Sequence, residues 1–227
     1  MKQTTPIIEL NSIRKIYGKG DSAVNALRNV NISINKGEML AIMGPSGSGK
    51  STLLNIMGLL DDLTEGNYKL FGSSVKGISS KDKASLRNMK LGFIVQDFAL
   101  VEKYTVEQNI EIPFAYLKKR ISKEEKNEKI KEVLKKLDIE SKRYELVCNL
   151  SGGQRQRVSI ARAIINEPEI ILADEPTGSL DSKTAKEIIN VLKELNNRGK
   201  TVVIITHDKN IAESCNRMIN IKDGIII

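Results

Sequence analysis

Disulfides, zinc sites and membrane spans are the first things this sequence leaves out. Only two cysteines occur, Cys148 and Cys215, far apart and without metal-ligand spacing, so neither a disulfide framework nor a zinc site is expected. No apolar run approaches the roughly 20 residues of a membrane-spanning helix. Met1–Leu10 carries polar and acidic residues where a signal peptide needs an apolar stretch. The expectation is that another polypeptide would have to cross any membrane this one serves. Internal repeats and low-complexity linkers are missing too, which favours a single domain over an array.

What is present is an ordinary globular balance. Of 227 residues 40% are hydrophobic and 28% charged, enough for one substantial core with at most a lobe inserted. The formal net charge of +8 admits nucleic acid, an anionic membrane surface or a polyphosphate as partner. Much of the excess falls in Lys118–Lys136, where Lys123, Glu124, Glu125, Lys126, Glu128, Lys129, Lys131 and Glu132 alternate in sign as on a solvated helix face.

Ile7–Tyr17 and Val30–Ile34 alternate as strands around a polar, Gly-rich turn at residues 18–21, predicting an antiparallel hairpin. Met39–Met43 is a short apolar strand leading into a glycine loop, after which Lys50–Leu60 has helical spacing. Residues 80–166 read as helical, with segments at Lys81–Met89, Val106–Leu117, Ser122–Leu137 and Gln154–Ile165. Glu169–Ala173 and Thr201–Thr206 are continuous apolar, β-branched runs of the buried parallel type, with a helix at Ser182–Asn196 between them. The predicted fold class is therefore α/β: a RecA-like core with an antiparallel β subdomain and an inserted α-helical subdomain. The whole of 1–227 forms one domain, with the core at about 1–90 and 166–227 and the helical subdomain at about 91–165.

Gly44-Pro45-Ser46-Gly47-Ser48-Gly49-Lys50-Ser51 fits the pattern G-x-x-x-x-G-K-[ST] between a predicted strand and a predicted helix, which makes the predicted fold that of a P-loop NTPase. The glycines let successive N–H groups converge on phosphate oxygens, and the helix N-terminus adds its positive end. Lys50 can reach the β and γ phosphates, Ser51 can supply an oxygen to Mg²⁺, and Thr52 faces the α phosphate. Asp174 and Glu175 end a buried apolar strand, where two acids would be expensive without a cation or a reaction to serve. Asp174 suits Mg²⁺, and Glu175, on the other side of the extended chain, suits the attacking water as general base. His207, the only histidine, ends another core strand, where imidazole can hydrogen-bond a γ phosphate.

Leu150-Ser151-Gly152-Gly153-Gln154, taken with the glycine loop, Gln96, Asp174-Glu175, Ser179-Leu180-Asp181 and His207 in this order, resembles the nucleotide-binding domain of ABC transporters over essentially the whole chain. The resemblance implies two cassettes that sandwich two ATP molecules, with Ser151, Gly152, Gly153 and Gln154 reaching the partner's γ phosphate and Asp181 crossing the interface. Ser151 can also cap the helix that follows. By the same resemblance Gln96 senses Mg²⁺ and the attacking water, residues 97–104 meet a transmembrane partner, and Tyr17 stacks on adenine. Gly66, Arg87, the segment from Gly92 to Phe98, Asn109 and the run from Ala173 to Asp181 resemble the branch of macrolide exporters, lipoprotein-release machines and antimicrobial-peptide systems. Val95 and Ser179 depart from the more usual aromatic and asparagine there, and neither removes a catalytic group.

The reading these residues support is an ATPase with ATP and Mg²⁺, working as a homodimer. It would sit on the cytoplasmic face of the cell membrane through an integral membrane permease and drive export of a peptide, lipoprotein or hydrophobic drug. The competing reading is an ABC ATPase acting on nucleic acid or ribosomes. The coiled-coil insertion or second cassette of those proteins is not in this sequence, so no nucleic-acid partner is expected.

Overall fold

The computed structural model describes residues 6–227; the first five residues of the polar N-terminal stretch lie outside the described residues. Strand β1 (Pro6–Tyr17) pairs antiparallel with β2 (Val24–Asn35), the expected hairpin, with β2 starting six residues earlier than the sequence pattern suggests. Strand β3 (Met39–Met43) runs through the glycine loop into helix α1 (Lys50–Met57). The chain then returns to the hairpin as β4 (Glu65–Leu70) and β5 (Ser73–Ser74), completing a four-stranded antiparallel sheet of order β2-β1-β4-β5.

Helix α2 (Ser80–Lys90) leads into β6 (Leu91–Ile94), followed by α3 (Val106–Glu111), α4 (Lys123–Lys136) and α5 (Gly152–Ile164). The last third contributes β7 (Ile170–Asp174), α6 (Ser182–Asn197), β8 (Thr201–Ile205), α7 (Lys209–Glu213), β9 (Arg217–Lys222) and β10 (Ile225–Ile226). The second sheet has order β10-β9-β3-β8-β7-β6, and β9, β3, β8, β7 and β6 all run parallel. β6 falls at the boundary drawn at about residue 91 between core and helical insert; it is the edge strand of the core sheet, and the helices proper follow it.

The continuous apolar runs of this sheet make sense because both its faces are covered. Leu40, Ile42, Ile170, Leu172, Val203 and Ile205 pack with α1 and the antiparallel sheet. Their neighbours Met39, Ile171, Ala173, Val202 and Ile204 pack with the helical side. The period of two along a strand thus assigns alternate residues to two different cores.

Helix starts follow local chemistry. Ser79, Thr105, Ser122, Ser151, Asp181 and Asp208 each accept from a backbone N–H at the N-terminus of the helix they precede. The helix read as Val106–Leu117 is shorter: α3 stops at Glu111 and Ile112–Tyr116 tightens into a 3-10 helix, because Pro113 has no N–H to continue an α-helical ladder.

Candidate functional site

Since β3, β6, β7 and β8 are parallel, whatever follows each of them emerges on one edge of the sheet. There Gly44, Ser46, Gly47, Gly49, Lys50, Ser51, Thr52, Gln96, Asp174, Glu175 and His207 line a common cleft of about 810 Å³. Four segments far apart in sequence are brought together by strand order alone.

The glycine loop has little freedom. Gly44 sits at φ 150, and a Cβ there would collide with the carbonyl of Ile221. Gly49 sits at φ 103, and its Cβ would lie 2.5 Å from the Ala26 carbonyl oxygen. The loop is therefore pressed between β9 and β2, where only a bare backbone fits. Lys50 Nζ donates to the carbonyls of Gly44 and Pro45, both at 2.8 Å, so the cation is held over the loop. Gly49 caps α1 without a side-chain acceptor, leaving the first N–H groups of that helix directed at the cleft. Ser48 is turned inward, and its buried Oγ has no partner among the described residues.

Asp174 and Glu175 occupy different environments one residue apart. Burial pushes the Asp174 carboxyl above its ordinary range, opposed by the Ser51 hydroxyl and reinforced by the adjacent Glu175. Glu175 has φ 45, a left-handed backbone at a non-glycine residue, and its N–H donates to the Ile205 carbonyl at 3.0 Å. That geometry tucks its carboxylate in, 16% exposed, against the His207 ring, whose Nδ1 is 3.0 Å from Oε2. Strain of this kind persists only where surrounding contacts over-determine it. The turn after Glu175 is closed by Gly178 N–H on the Glu175 carbonyl, and Gln96 Nε2 stands 3.4 Å from where a Gly178 Cβ would be. Gln96, Asp174 and Glu175 thus form one wall.

Tyr17 is close to the loop but not on the cleft wall. Its hydroxyl donates to Asp61 Oδ2 at 2.5 Å, and Lys15, itself bonded to Asp61 Oδ1 at 2.5 Å, lies 4.7 Å from its ring centroid. Desolvation works to raise the Asp61 pKa, but the hydrogen bonds from Lys15 and Tyr17 outweigh it and hold the carboxyl below its usual range. On the other rim are residues the sequence did not single out: Val24, Asn25, Ala26 and Arg28 of β2, and Asp223 and Gly224 of the β9–β10 turn. Gly224 N–H donates to the Ser48 carbonyl at 3.0 Å, and its own carbonyl accepts from Arg28 N–H at 2.8 Å, tying the turn to the loop. The Asp-Gly pair signals a turn from sequence. That the turn would reach the cleft is visible only in the fold.

Ser151, Gly152, Gly153, Gln154 and Asp181 do not line this cleft. They are used locally. Ser151 Oγ accepts from Gln154 N–H at 3.4 Å while Gln154 Oε1 accepts from Ser151 N–H at 3.0 Å, a reciprocal capping box on α5. Asp181 caps α6 through Lys183 and Thr184 N–H and accepts from the Thr184 hydroxyl at 2.6 Å. The two caps touch: a Cβ on Gly153 would stand 2.5 Å from Thr184 Cγ2. Behind them, buried Gln156 donates to the Pro176 carbonyl at 2.6 Å, joining α5 to the segment next to Glu175. Arg162, further along α5, donates to the carbonyls of Phe98 and Ala99, both left-handed residues two and three places after Gln96.

A phosphate-shaped loop at a helix N-terminus, facing a carboxylate pair across a parallel sheet, defines a P-loop nucleoside-triphosphatase. Residues 27–178 match the family described as ABC transporter. The chain belongs to that family and is an ATPase domain of it. It is 46% identical over 221 residues to the macrolide export ATP-binding/permease protein MacB of Mannheimia succiniciproducens, covering 97% of this chain and 34% of MacB. It is 42% identical over 221 residues to the uncharacterized ABC transporter ATP-binding protein YknY of Bacillus subtilis, covering 97% of this chain and 95% of YknY. The chain therefore spans about a third of the length of the MacB relative and nearly all of YknY. The ATP-binding cassette MJ0796, in a dimeric post-hydrolysis state bound to ADP and Pi, superimposes with a TM-score of 0.90 at 43% identity over 96% of each chain.

Proposed function

We propose that this chain is the motor of an export or extrusion system for a peptide, lipoprotein or hydrophobic drug, acting as a closed dimer on a membrane permease. The observation that carries the dimer is a division of labour. Loop, acid pair, Gln96 and His207 share one cleft, while the capped N-terminus of α5, an anion-attracting feature, lies outside it. A second copy can bring its α5 N-terminus over the cleft, so that Ser151, Gly152, Gly153 and Gln154 face the γ phosphate and Asp181 lies at the interface. The dimeric state of MJ0796 supports this arrangement.

In this reading the loop N–H groups and Lys50 hold the triphosphate, with Tyr17 and the β2 rim near the base. Among the described residues no cluster of three His, Cys, Asp or Glu side chains stands ready to hold a metal. Mg²⁺ fits nonetheless, because hard oxygen donors from Asp174 and Ser51 line the same cleft beside the loop and such an ion completes its shell with phosphate and water. Ser51, Asp174 and Gln96 would hold it, and when bound it would supply charge neutralisation at the phosphates. Glu175 accepts a hydrogen bond from the attacking water, polarising it toward the γ phosphorus. His207 fixes the Glu175 carboxylate from one side and offers its other ring nitrogen to the phosphate, while Lys50 absorbs the charge that develops on the leaving oxygen.

Among the described residues no helix is long and apolar enough to cross a membrane. The permease would dock at residues 97–104, none of which lines a wall of the adjoining, mostly apolar groove of about 580 Å³, and in that groove, whose walls include Phe93, Ile112, Pro113 and Arg162, the last holding the Phe98 and Ala99 carbonyls. Phe93 and Gln96 are three residues apart, so a push in the groove reaches the cleft along one short segment. The match to MacB, whose name joins ATP-binding and permease functions, supports export. In this reading the permease is an integral membrane protein, and this chain sits peripherally on the cytoplasmic face through it. Glu175→Gln is the test. Turnover should fall by about 10²–10⁴-fold while ATP binding is retained and ATP alone shifts the chain to a dimer in gel filtration. Undiminished hydrolysis would remove Glu175 from the mechanism, and a monomer at saturating ATP would remove the sandwich.

A further inference from the structure

The chain's positive charge is less evenly spread than the run from Lys118 to Lys136 suggests. Helix α4 itself is close to neutral. Lys118, Lys119, Arg120 and Lys123, with no acid between Glu111 and Glu124, account for half of the net +8. Lys118, Lys119 and Arg120 lie in the connection between the 3-10 helix Ile112–Tyr116 and α4, and Lys123 is the first residue of α4; all four are exposed. Among the described residues none of them makes an ion pair, whereas Lys129, Lys136 and Arg143 each find a carboxylate.

The connection is also anchored. Phe114 is buried at 6% exposure, and Leu117 and Ile121 pack against the helical core at either end of the basic triplet. Anchoring Phe114 inward turns Tyr116 outward, 70% exposed. The result is a fixed knuckle: one amphipathic aromatic beside three unpaired cations, at the edge of the groove that Tyr116 and Lys118 help to line.

We infer that this knuckle is a contact for the anionic surface of a lipid bilayer. The chemistry matches on both counts. Polybasic segments are drawn to acidic headgroups, and tyrosine prefers the headgroup level, where its ring is apolar and its hydroxyl wet. Its placement rests on the reading that the neighbouring groove receives the permease, since a permease held there turns this edge toward the membrane. Direct lipid contact would then orient the motor beneath its permease and add to the affinity between them through effective concentration.

The experiment uses the purified chain without permease, floated with phosphatidylcholine vesicles that contain or lack phosphatidylglycerol. Wild type should bind the anionic vesicles selectively and release at high salt. Substituting Lys118→Gln, Lys119→Gln and Arg120→Gln together should weaken that binding about tenfold or more, and Tyr116→Ser should weaken it by a smaller factor. A charge-matched control, Lys131→Gln with Lys135→Gln and Lys136→Gln, should bind like wild type, with ATP affinity unchanged in all variants. Equal binding to neutral and anionic vesicles, or equal losses in the triplet and control variants, would overturn the inference. Vesicle binding that ignores the triplet while permease co-purification requires it would also overturn it, assigning the knuckle to the protein partner. Loss of co-purification through groove changes such as Phe93→Ala, with vesicle binding intact, would test the permease reading separately.

Discussion

The cleft at the sheet edge and the capped ends of α5 and α6 are built on opposite principles. In the cleft, polar groups are held against their local preference: Glu175 is left-handed, burial raises the pKa of the Asp174 carboxyl, and the Ser48 hydroxyl is buried without a partner among the described residues. At Ser151, Gln154 and Asp181 every side chain satisfies its own backbone within three residues. The lesson is that the cleft is organised for a ligand carrying negative charge. The caps are rigid platforms, complete without a ligand, that present helix N–H groups elsewhere.

The sharpest way to break that contrast is to disable each side separately. Lys50→Ala should lower nucleotide affinity of the isolated chain by about 10–100-fold, as expected for loss of a charge-assisted phosphate contact. Gly152→Asp, which places a carboxylate at the α5 N-terminus, should leave that affinity within about twofold. It should nonetheless abolish ATP-driven dimerisation and lower turnover by about 10²-fold or more. Fluorescent-nucleotide titration beside a phosphate-release assay separates the two, and a large affinity loss in Gly152→Asp would show that the two regions are not independent.

Gly153→Ala probes the contact between the two caps. A methyl group there meets Thr184 Cγ2 at 2.5 Å while the Thr184 hydroxyl is committed to Asp181, so crowding should lower stability by about 1–3 kcal/mol in urea titration. Thr184→Ser, which removes the opposing methyl, should rescue most of it. Ser151→Ala, by loss of one cap, should lower stability by about 1 kcal/mol, a fall of about 2–4 °C in Tm.

The smallest effect has the opposite sign. Asp174→Asn should stabilise the nucleotide-free chain, by less than about 1 kcal/mol because the site is half exposed. The sign follows from linkage. A carboxyl whose folded pKa is raised penalises the fold above that pKa and stops doing so once protonated. The Tm advantage of Asp174→Asn should therefore be full at neutral pH and shrink as pH falls from the raised pKa through the ordinary value. A pH series of thermal melts checks it, and an advantage that grows on acidification would contradict the electrostatic account of the cleft.

Legibility in the sequence followed the same division. β3, β7 and β8 could be read because strands buried on both faces are continuous apolar runs, and the helices because their caps are local. β6 could not. Leu91-Gly92-Phe93-Ile94 is four residues long, directly continues α2, and is a strand only because β7 lies beside it. β9, with Arg217, Asn220 and Lys222 among its six residues, also takes its place from the sheet, here from pairing with β3.

By itself, the sequence determined the chemistry that depends on neighbours along the chain: the glycine loop running into Lys50 and Ser51, the acid pair at a strand end, and the self-capping Ser151 and Asp181. Tertiary structure alone decided which of these meet. Parallel strand order gathers residues 44–52, 96, 174–175 and 207 into one cleft, sets Asp223 and Gly224 on its rim, and leaves residues 151–154 and 181 outside it. The physical reason is range. Caps and loops are settled by hydrogen bonds spanning a few residues, whereas the cleft is settled by how β3, β8, β7 and β6 stack, and no local pattern records that order.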